Sequence, residues 1–168
     1  MTDETLVEIA DSSFILCAPN IDTQNWSDTL EAKEFTEADA EKLGGMQDVV
    51  IPEGYTSIAS EAFKGNQNIK SVKFPNTLKI IGEKAFFSCK QLSEVTFSSG
   101  ILYIGKEAFL FCKKLKCLNF PDTLKIIGEK AFFACYKLME VKFGSGILFI
   151  GQSAFGSCKE LKKVRIET

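Results

Sequence analysis

Residues 72–94 read VKFPNTLKIIGEKAFFSCKQLSE, and the pattern returns with drift every 23 residues to the end of the chain. Val72, Val95, Leu118, Val141 and Val164 open successive copies, and Val49 opens a weaker one before them. A fixed period of this length is the signature of a solenoid, in which each repeat packs only on its neighbours. An apolar-x-x-V-x-F element recurs as Ile69/Val72/Phe74, Leu92/Val95/Phe97, Leu115/Leu118/Phe120, Leu138/Val141/Phe143 and Leu161/Val164/Ile166. Its final two-residue step puts two side chains on one face of a strand and the intervening ones on the other. A turn follows at Pro52, Pro75 or Pro121, or at Ser99-Gly100 or Ser145-Gly146. A second extended piece, Lys79-Ile80-Ile81 and its equivalents, ends at Gly82, Gly105, Gly128 or Gly151. The E-K-A-F-F-x-C segment beyond is expected to make a single helical turn with Ala85 and Phe86 inward. One repeat cannot bury enough apolar surface to offset the ordering of its own backbone, so stacking is obligatory.

A longer period lies over the first. Residues 72–94 and 118–140 share FPxTLKIIGEKAFF, while 95–117 and 141–163 share FxSGIL and IG, so the array reads as a duplicated 46-residue unit.

The 168 residues fit one domain, and a hydrophobic content of 45% suffices for a continuous core. A formal net charge of −2 gives no global bias towards nucleic acid or anionic lipid. No apolar run approaches the roughly 18 residues that span a bilayer, so no membrane insertion is expected. The opening MTDETLVEIADSS is acidic and lacks the basic-then-apolar layout of a signal peptide. That leaves localisation open between the cytoplasm and a secreted protein whose signal is not in this chain. Histidine is absent, which removes Ser-His-Asp and Cys-His nucleophile systems and the commonest metal ligand together. Phosphate-loop and dinucleotide-binding glycine motifs are also absent. The chain therefore reads as a non-enzyme, with no catalytic, cofactor-binding or metal-binding set assigned.

Residues 1–48 fall outside the repeat and read as an N-terminal cap, with an array of five to six 23-residue repeats over 49–168. Leu6, Val7 and Ile9, then Phe14, Ile15 and Leu16, flank Asp11-Ser12-Ser13 as two strands of a hairpin. Residues 20–29 are polar and read as a loop. Thr36-Glu37-Ala38-Asp39 has the form of a helix start and Leu43-Gly44-Gly45 of its stop, predicting a short helix over 36–43. Asn25-Trp26-Ser27 matches a glycosylation sequon, a three-residue match of little weight.

The combination of L-x-x-L-x-L with x-x-I-G-x-x-A-F-x-x-C at a 23-residue period resembles the BspA-like subclass of leucine-rich repeats. The resemblance rests on Ile81-Gly82, Ala85-Phe86 and Cys89, with their counterparts at 104–105, 108–109 and 112, at 127–128, 131–132 and 135, and at 150–151, 154–155 and 158. The first copy departs, with Ala59 for the glycine and Asn66 for the cysteine. The resemblance implies an α/β leucine-rich-repeat solenoid, right-handed, with parallel strands on a concave face and short helical turns on the convex side. It also implies protein-protein interaction at a cell surface, of the kind that adheres to host matrix.

The outward positions on the concave strands are expected to carry any specificity. They read Lys70, Ser71, Lys73; Ser93, Glu94, Thr96; Lys116, Cys117, Asn119; Met139, Glu140, Lys142; and Lys162, Lys163, Arg165. Seven are basic and two acidic, which suits a docking surface for an acidic protein or glycan. Lys70, Lys73, Glu94, Thr96, Lys116, Cys117, Asn119, Glu140, Lys142, Lys163 and Arg165 are the candidate partner-binding residues. The opposing reading is a solvated sheet kept soluble by lysine. Nucleic acid is disfavoured because no aromatic residues interleave with the charges. Cys117, beside Lys116, is either a reactive thiol or an ordinary exposed cysteine. Cys89, Cys112, Cys135 and Cys158 form a ladder that reads as core, since a straight column does not wrap a metal tetrahedrally. On the convex strand Ile80, Tyr103, Ile126 and Phe149 align beside Leu102 and Leu148. They are expected either to cluster with Phe87, Leu110, Phe111 and Phe133 or to form an association patch. The chain stops at Val164-Arg165-Ile166-Glu167-Thr168, just after a strand, so an unpaired edge is expected there, with either further repeats beyond it or self-association through that end.

Overall fold

The computed structural model describes residues 5–6 and 32–167. In chain order the elements are β1 (Thr5–Leu6), β2 (Glu34–Phe35), α1 (Glu37–Lys42), β3 (Asp48–Val50), β4 (Ser57–Ile58), β5 (Ser71–Lys73) and β6 (Ile80–Ile81). There follow β7 (Glu94–Thr96), β8 (Tyr103–Ile104), β9 (Cys117–Asn119), β10 (Ile126–Ile127), β11 (Glu140–Phe143), β12 (Phe149–Ile150) and β13 (Lys163–Ile166). The 23-residue period becomes the register. Val49, Val72 and Val95 pair in parallel, as do Leu118, Val141 and Val164. Phe35, Ile58, Ile81, Ile104, Ile127 and Ile150 form an unbroken second ladder. The protein is a parallel β-solenoid of about six turns.

The expected helical turn at E-K-A-F-F-x-C is not helical. Lys84 and Ser88 have φ of 54° and 59°, and Glu107, Phe111, Lys130, Ala134, Ser153 and Ser157 repeat that left-handed conformation. No right-handed helix contains it. The segment is instead a chain of tight turns that splits its amides between two jobs. The N–H groups of Ala85, Phe87 and Cys89 donate three residues back, to Gly82, Lys84 and Phe86. Those of Lys84, Phe86 and Ser88 donate to the carbonyls of Lys106, Ala108 and Leu110 on the next rung. A third backbone ladder results. Each left-handed residue costs about 1–2 kcal/mol, and the inter-rung bonds offset that strain.

The only α-helix among the described residues is α1, held by a capping box in which the Thr36 hydroxyl accepts from Asp39 N–H and the Asp39 carboxylate accepts from Thr36 N–H. It agrees with the helix predicted over 36–43. The predicted hairpin over residues 6–16 and the polar loop at 20–29 lie outside the described residues, apart from β1. Upstream of residue 49 the ladder continues: Glu34 and Phe35 sit in register with Ser57 and Ile58, 23 residues on. At the other end the expected unpaired edge is corrected, because β1 pairs antiparallel with β13, Thr5 opposite Ile166 and Leu6 opposite Arg165.

The core is two columns of phenyl rings running along the solenoid. Phe35, Phe63, Phe86, Phe109, Phe132 and Phe155 stack nearly parallel at centroid spacings of 5.4, 4.8, 5.0, 5.0 and 5.3 Å. Phe74, Phe97, Phe120 and Phe143 make the second column at 5.8, 5.0 and 5.3 Å. The spacings match the roughly 4.8 Å strand separation, so one residue type at one repeat position satisfies every rung. Gly82, Gly105, Gly128 and Gly151 do not end the strand through unusual torsion. A Cβ at Gly105 would lie 2.8 Å from backbone atoms of Gly82 and Glu83 on the rung before. Close stacking of the rungs is what demands glycine.

Candidate functional site

The outer face of the first ladder presents Asp48, Ser71, Glu94, Cys117, Glu140 and Lys163 in one column, and Val50, Lys73, Thr96, Asn119, Lys142 and Arg165 in the next. Inward neighbours such as Val72, Leu118 and Val141 are at most 1% exposed, which fixes the outward set rigidly. The positive charge read from the sequence is unevenly available. Lys142 pairs with Glu167, and Glu140 holds both Lys163 at 3.4 Å and Arg165 at 3.8 Å. Lys70, Lys73 and Lys116 are exposed and make no ion pair among the described residues. Among the described residues the free lysines of this face are thus Lys162, alone on the last rung, and Lys70, Lys73 and Lys116 in the first four rungs. Asp48 adds an acid there, accepting from the Ser71 hydroxyl at 2.6 Å.

Next to this face is a lysine column that a strand-centred reading of the sequence misses. Gln91, Lys114, Lys137 and Glu160 follow one another at 23-residue steps. Lys114 Nζ donates to Gln91 Oε1 at 2.6 Å, and Lys137 Nζ meets Glu160 Oε1 at 2.5 Å. The period alone would have found them, had it been followed into the segment before each strand. Lys70, Lys114, Lys116 and Lys137 surround a shallow basin of about 400 Å³ together with Gln91 and Ser93.

The first ladder is interrupted once. Sheet β3–β5–β7 and sheet β9–β11–β13–β1 share no strand pairing, whereas the second ladder runs continuously past the same point. A cleft of about 410 Å³ opens there between Ser93–Phe97 and Lys116–Asn119. It contains Glu94, Thr96, Lys116, Cys117 and Asn119 of the candidate set. Lys70 and Lys73 lie one rung to one side, and Glu140, Lys142, Lys163 and Arg165 lie on the rungs beyond.

Cys117 is exposed in the cleft, while Cys89, Cys112 and Cys135 are fully buried and Cys158 nearly so. Each buried thiol donates to a main-chain carbonyl 26 residues earlier: Phe63, Phe86, Phe109 and Phe132, at 3.0 to 3.4 Å. Burial pushes Cys89 and Cys158 up to about 12, and Cys112 and Cys135 well above the ordinary thiol value. These are protonated core thiols. No group of three or more potential metal ligands converges among the described residues.

The apolar column on the second ladder is half-buried. Ile80, Tyr103, Ile126 and Phe149 stack on one another through strand register, Ile126 is 7% exposed, and Leu148 is 50% exposed at the end. Phe87 and Phe111 pack edge-on at 6.0 Å beside it. No helix among the described residues is long and apolar enough to cross a membrane.

Parallel rungs of fixed 23-residue length, an inner phenyl spine and a polar outer strand face define a leucine-rich-repeat scaffold. The chain belongs to the BspA type leucine rich repeat family, whose model matches six copies over residues 40–162. It is similar to a leucine rich repeat protein of T. pallidum, at 31% identity and TM-score 0.71, over 73% of this chain and 59% of that one. A leucine rich cell surface protein from Faecalibacterium prausnitzii is similar at 30% identity and TM-score 0.70, over 73% of this chain and 32% of that one. The pneumococcal vaccine antigen PcpA shares the fold, at 23% identity and TM-score 0.62. The chain thus spans less than two thirds of the first two relatives' own length. Comparison with curated proteins gives no significant match. Repeats of this family are protein-interaction scaffolds and are generally non-enzymatic.

Proposed function

We propose that the chain is a non-catalytic protein-interaction module that captures a partner of acidic or extracellular-matrix-like character on the outer face of its first strand ladder. One observation carries this reading. Lys70, Lys73 and Lys116 stand exposed and without ion pairs on a rigid ladder, while Lys142, Lys163 and Arg165 further along are drawn to Glu140 and Glu167 and only Lys162 stays unpaired there. Unpaired charge on a pre-ordered surface raises encounter rates and selects partners of opposite sign without an ordering cost. The cell-surface relative from F. prausnitzii supports a cell-surface setting for such capture. The test is capture of the chain by immobilised matrix proteins and acidic proteins, as the wild type and with Lys70, Lys73 and Lys116 all replaced by Glu. Capture should be lost in the variant and should weaken with salt as the Debye length falls below about 10 Å. Capture that survives the reversal overturns the proposal.

A second reading, a structural spacer or self-associating array, draws on the solenoid's two ends. Met46 and Val50 are 51% and 65% exposed at one end, and β12 is an edge strand at the other. Under that reading light scattering grows with concentration, and the triple Glu variant keeps the growth.

A further inference from the structure

The interruption between β7 and β9 is local, and it leaves a specific set of groups without partners. At the other junctions of the first ladder the backbone bonds follow one rule. Lys70, Ser93, Met139 and Lys162 donate their N–H to the carbonyls of Gln47, Lys70, Lys116 and Met139 on the rung before. Ile51, Phe74 and Phe120 donate to Lys73, Thr96 and Lys142 on the rung after. The corresponding bonds, from Lys116 N–H to Ser93 O and from Phe97 N–H to Asn119 O, are not formed. Fraying of the solenoid does not explain this. On the same two rungs Tyr103 pairs with Ile126 in the second ladder, and Phe109 and Phe111 N–H donate to Ala131 and Phe133 in the third at 2.7 and 3.0 Å. Two closed sides and one open side make a wedge-shaped cleft. Its inner wall is Val95, 8% exposed where Val72, Leu118 and Val141 are at most 1%.

The charge around the opening has one dominant sign. Ser93 and Lys116 line both the cleft and the lysine basin, so the two form one continuous depression. Lys70, Lys114 and Lys116 have no carboxylate partner among the described residues, and only Lys137 is paired, with Glu160. Glu94 is the single acid in the lining. Two main-chain donors, two main-chain acceptors, and three ammonium groups without a carboxylate partner therefore border one depression.

We propose that this depression is the anchoring site for an extended, acidic peptide segment of a partner protein. Its backbone would exchange hydrogen bonds with Phe97 N–H, Lys116 N–H and the Ser93 and Asn119 carbonyls, while its carboxylates meet Lys70, Lys114 and Lys116. A peptide fits better than a sulfated glycan because the open donors and acceptors are those that a neighbouring strand would satisfy, and the alternating N–H and C=O groups of an extended backbone match them in spacing. The assignment rests on the first strand face being a protein-binding surface and narrows it to one junction out of five.

The experiment uses the full chain and a fluorescein-labelled octapeptide of alternating Glu and Val, read by anisotropy. The wild type should bind, the peptide with Gln in place of Glu should not, and Lys116→Glu should weaken binding by about tenfold. Lys162→Glu, on the same face but two junctions beyond Lys116, should leave binding within about twofold. In a Cys17→Ser background, the peptide should also slow alkylation of Cys117, the exposed cysteine in the cleft. Equal loss in Lys116→Glu and Lys162→Glu overturns the cleft while leaving the face as a diffuse binding surface. Binding of heparin oligosaccharide without binding of the peptide assigns the depression to a glycan and overturns the peptide. Binding of neither, together with partner capture that survives reversal of Lys70, Lys73 and Lys116, removes the underlying reading as well.

Discussion

At Gly105 the tolerance is a fraction of an ångström, because a methyl group would sit 2.8 Å from the backbone of the preceding rung. Gly105→Ala should therefore destabilise the fold by about 3 kcal/mol, measured by urea unfolding, although alanine is the smallest possible enlargement. The cysteine column gives a second test at this scale. Cys89 and Cys158 are raised from 9.0 to about 12 by burial, so the folded state holds its thiol protons more tightly than the unfolded chain. Above the unfolded value the unfolded state binds fewer protons, and stability then falls with rising pH. The thiol contribution should be fully present below about pH 9 and disappear towards pH 12. A Cys89→Ala, Cys158→Ala variant should show a shallower alkaline decline in melting temperature. The same decline in both proteins would place the pH dependence elsewhere.

Among the elements, the turn segments test how the third ladder is maintained. Ser88 and Lys84 hold φ near 59° and 54° without being glycine. Ser88→Val should cost about 1–2 kcal/mol, since a β-branched side chain adds to the left-handed strain, whereas Ser88→Gly should be neutral or slightly stabilising. Chemical denaturation of the pair decides it, and equal stability would count against the strain. The phenyl spine gives the complementary prediction. Phe109 is fully buried between Phe86 and Phe132, and Phe109→Ala should lose about 3–5 kcal/mol. The strand pattern and its inward residues could be read from the 23-residue period because strand pairing copies that period directly into space. The turns could not. Lys, Ser, Glu, Phe and Ala occupy the left-handed positions, and none of them signals such a conformation in sequence.

For the whole molecule, stability is approximately a sum over rungs and the interfaces between them. Deleting residues 95–117, one full period, should leave a folded but less stable solenoid with a smaller denaturant slope. Deleting half a period should abolish folding, because it throws the valines and phenylalanines out of register. Circular dichroism of the two deletions separates the outcomes. The same deletion removes the β7–β9 junction and should abolish peptide binding.

The sequence by itself determined the frame. The period, the inward Val, Phe, Ala and Cys positions and the outward lysines are all one-dimensional consequences of a rung that repeats every 23 residues. Tertiary structure alone decided which of those lysines are free, since Glu140 and Glu167 reach their partners only through strand register and side-chain reach. It also decided where the ladder opens. Residues 93–97 and 116–120 carry the same apolar pattern as every other rung, so nothing local marks that junction. The gap is a relation between two neighbouring rungs, a property of the stack that no single repeat encodes.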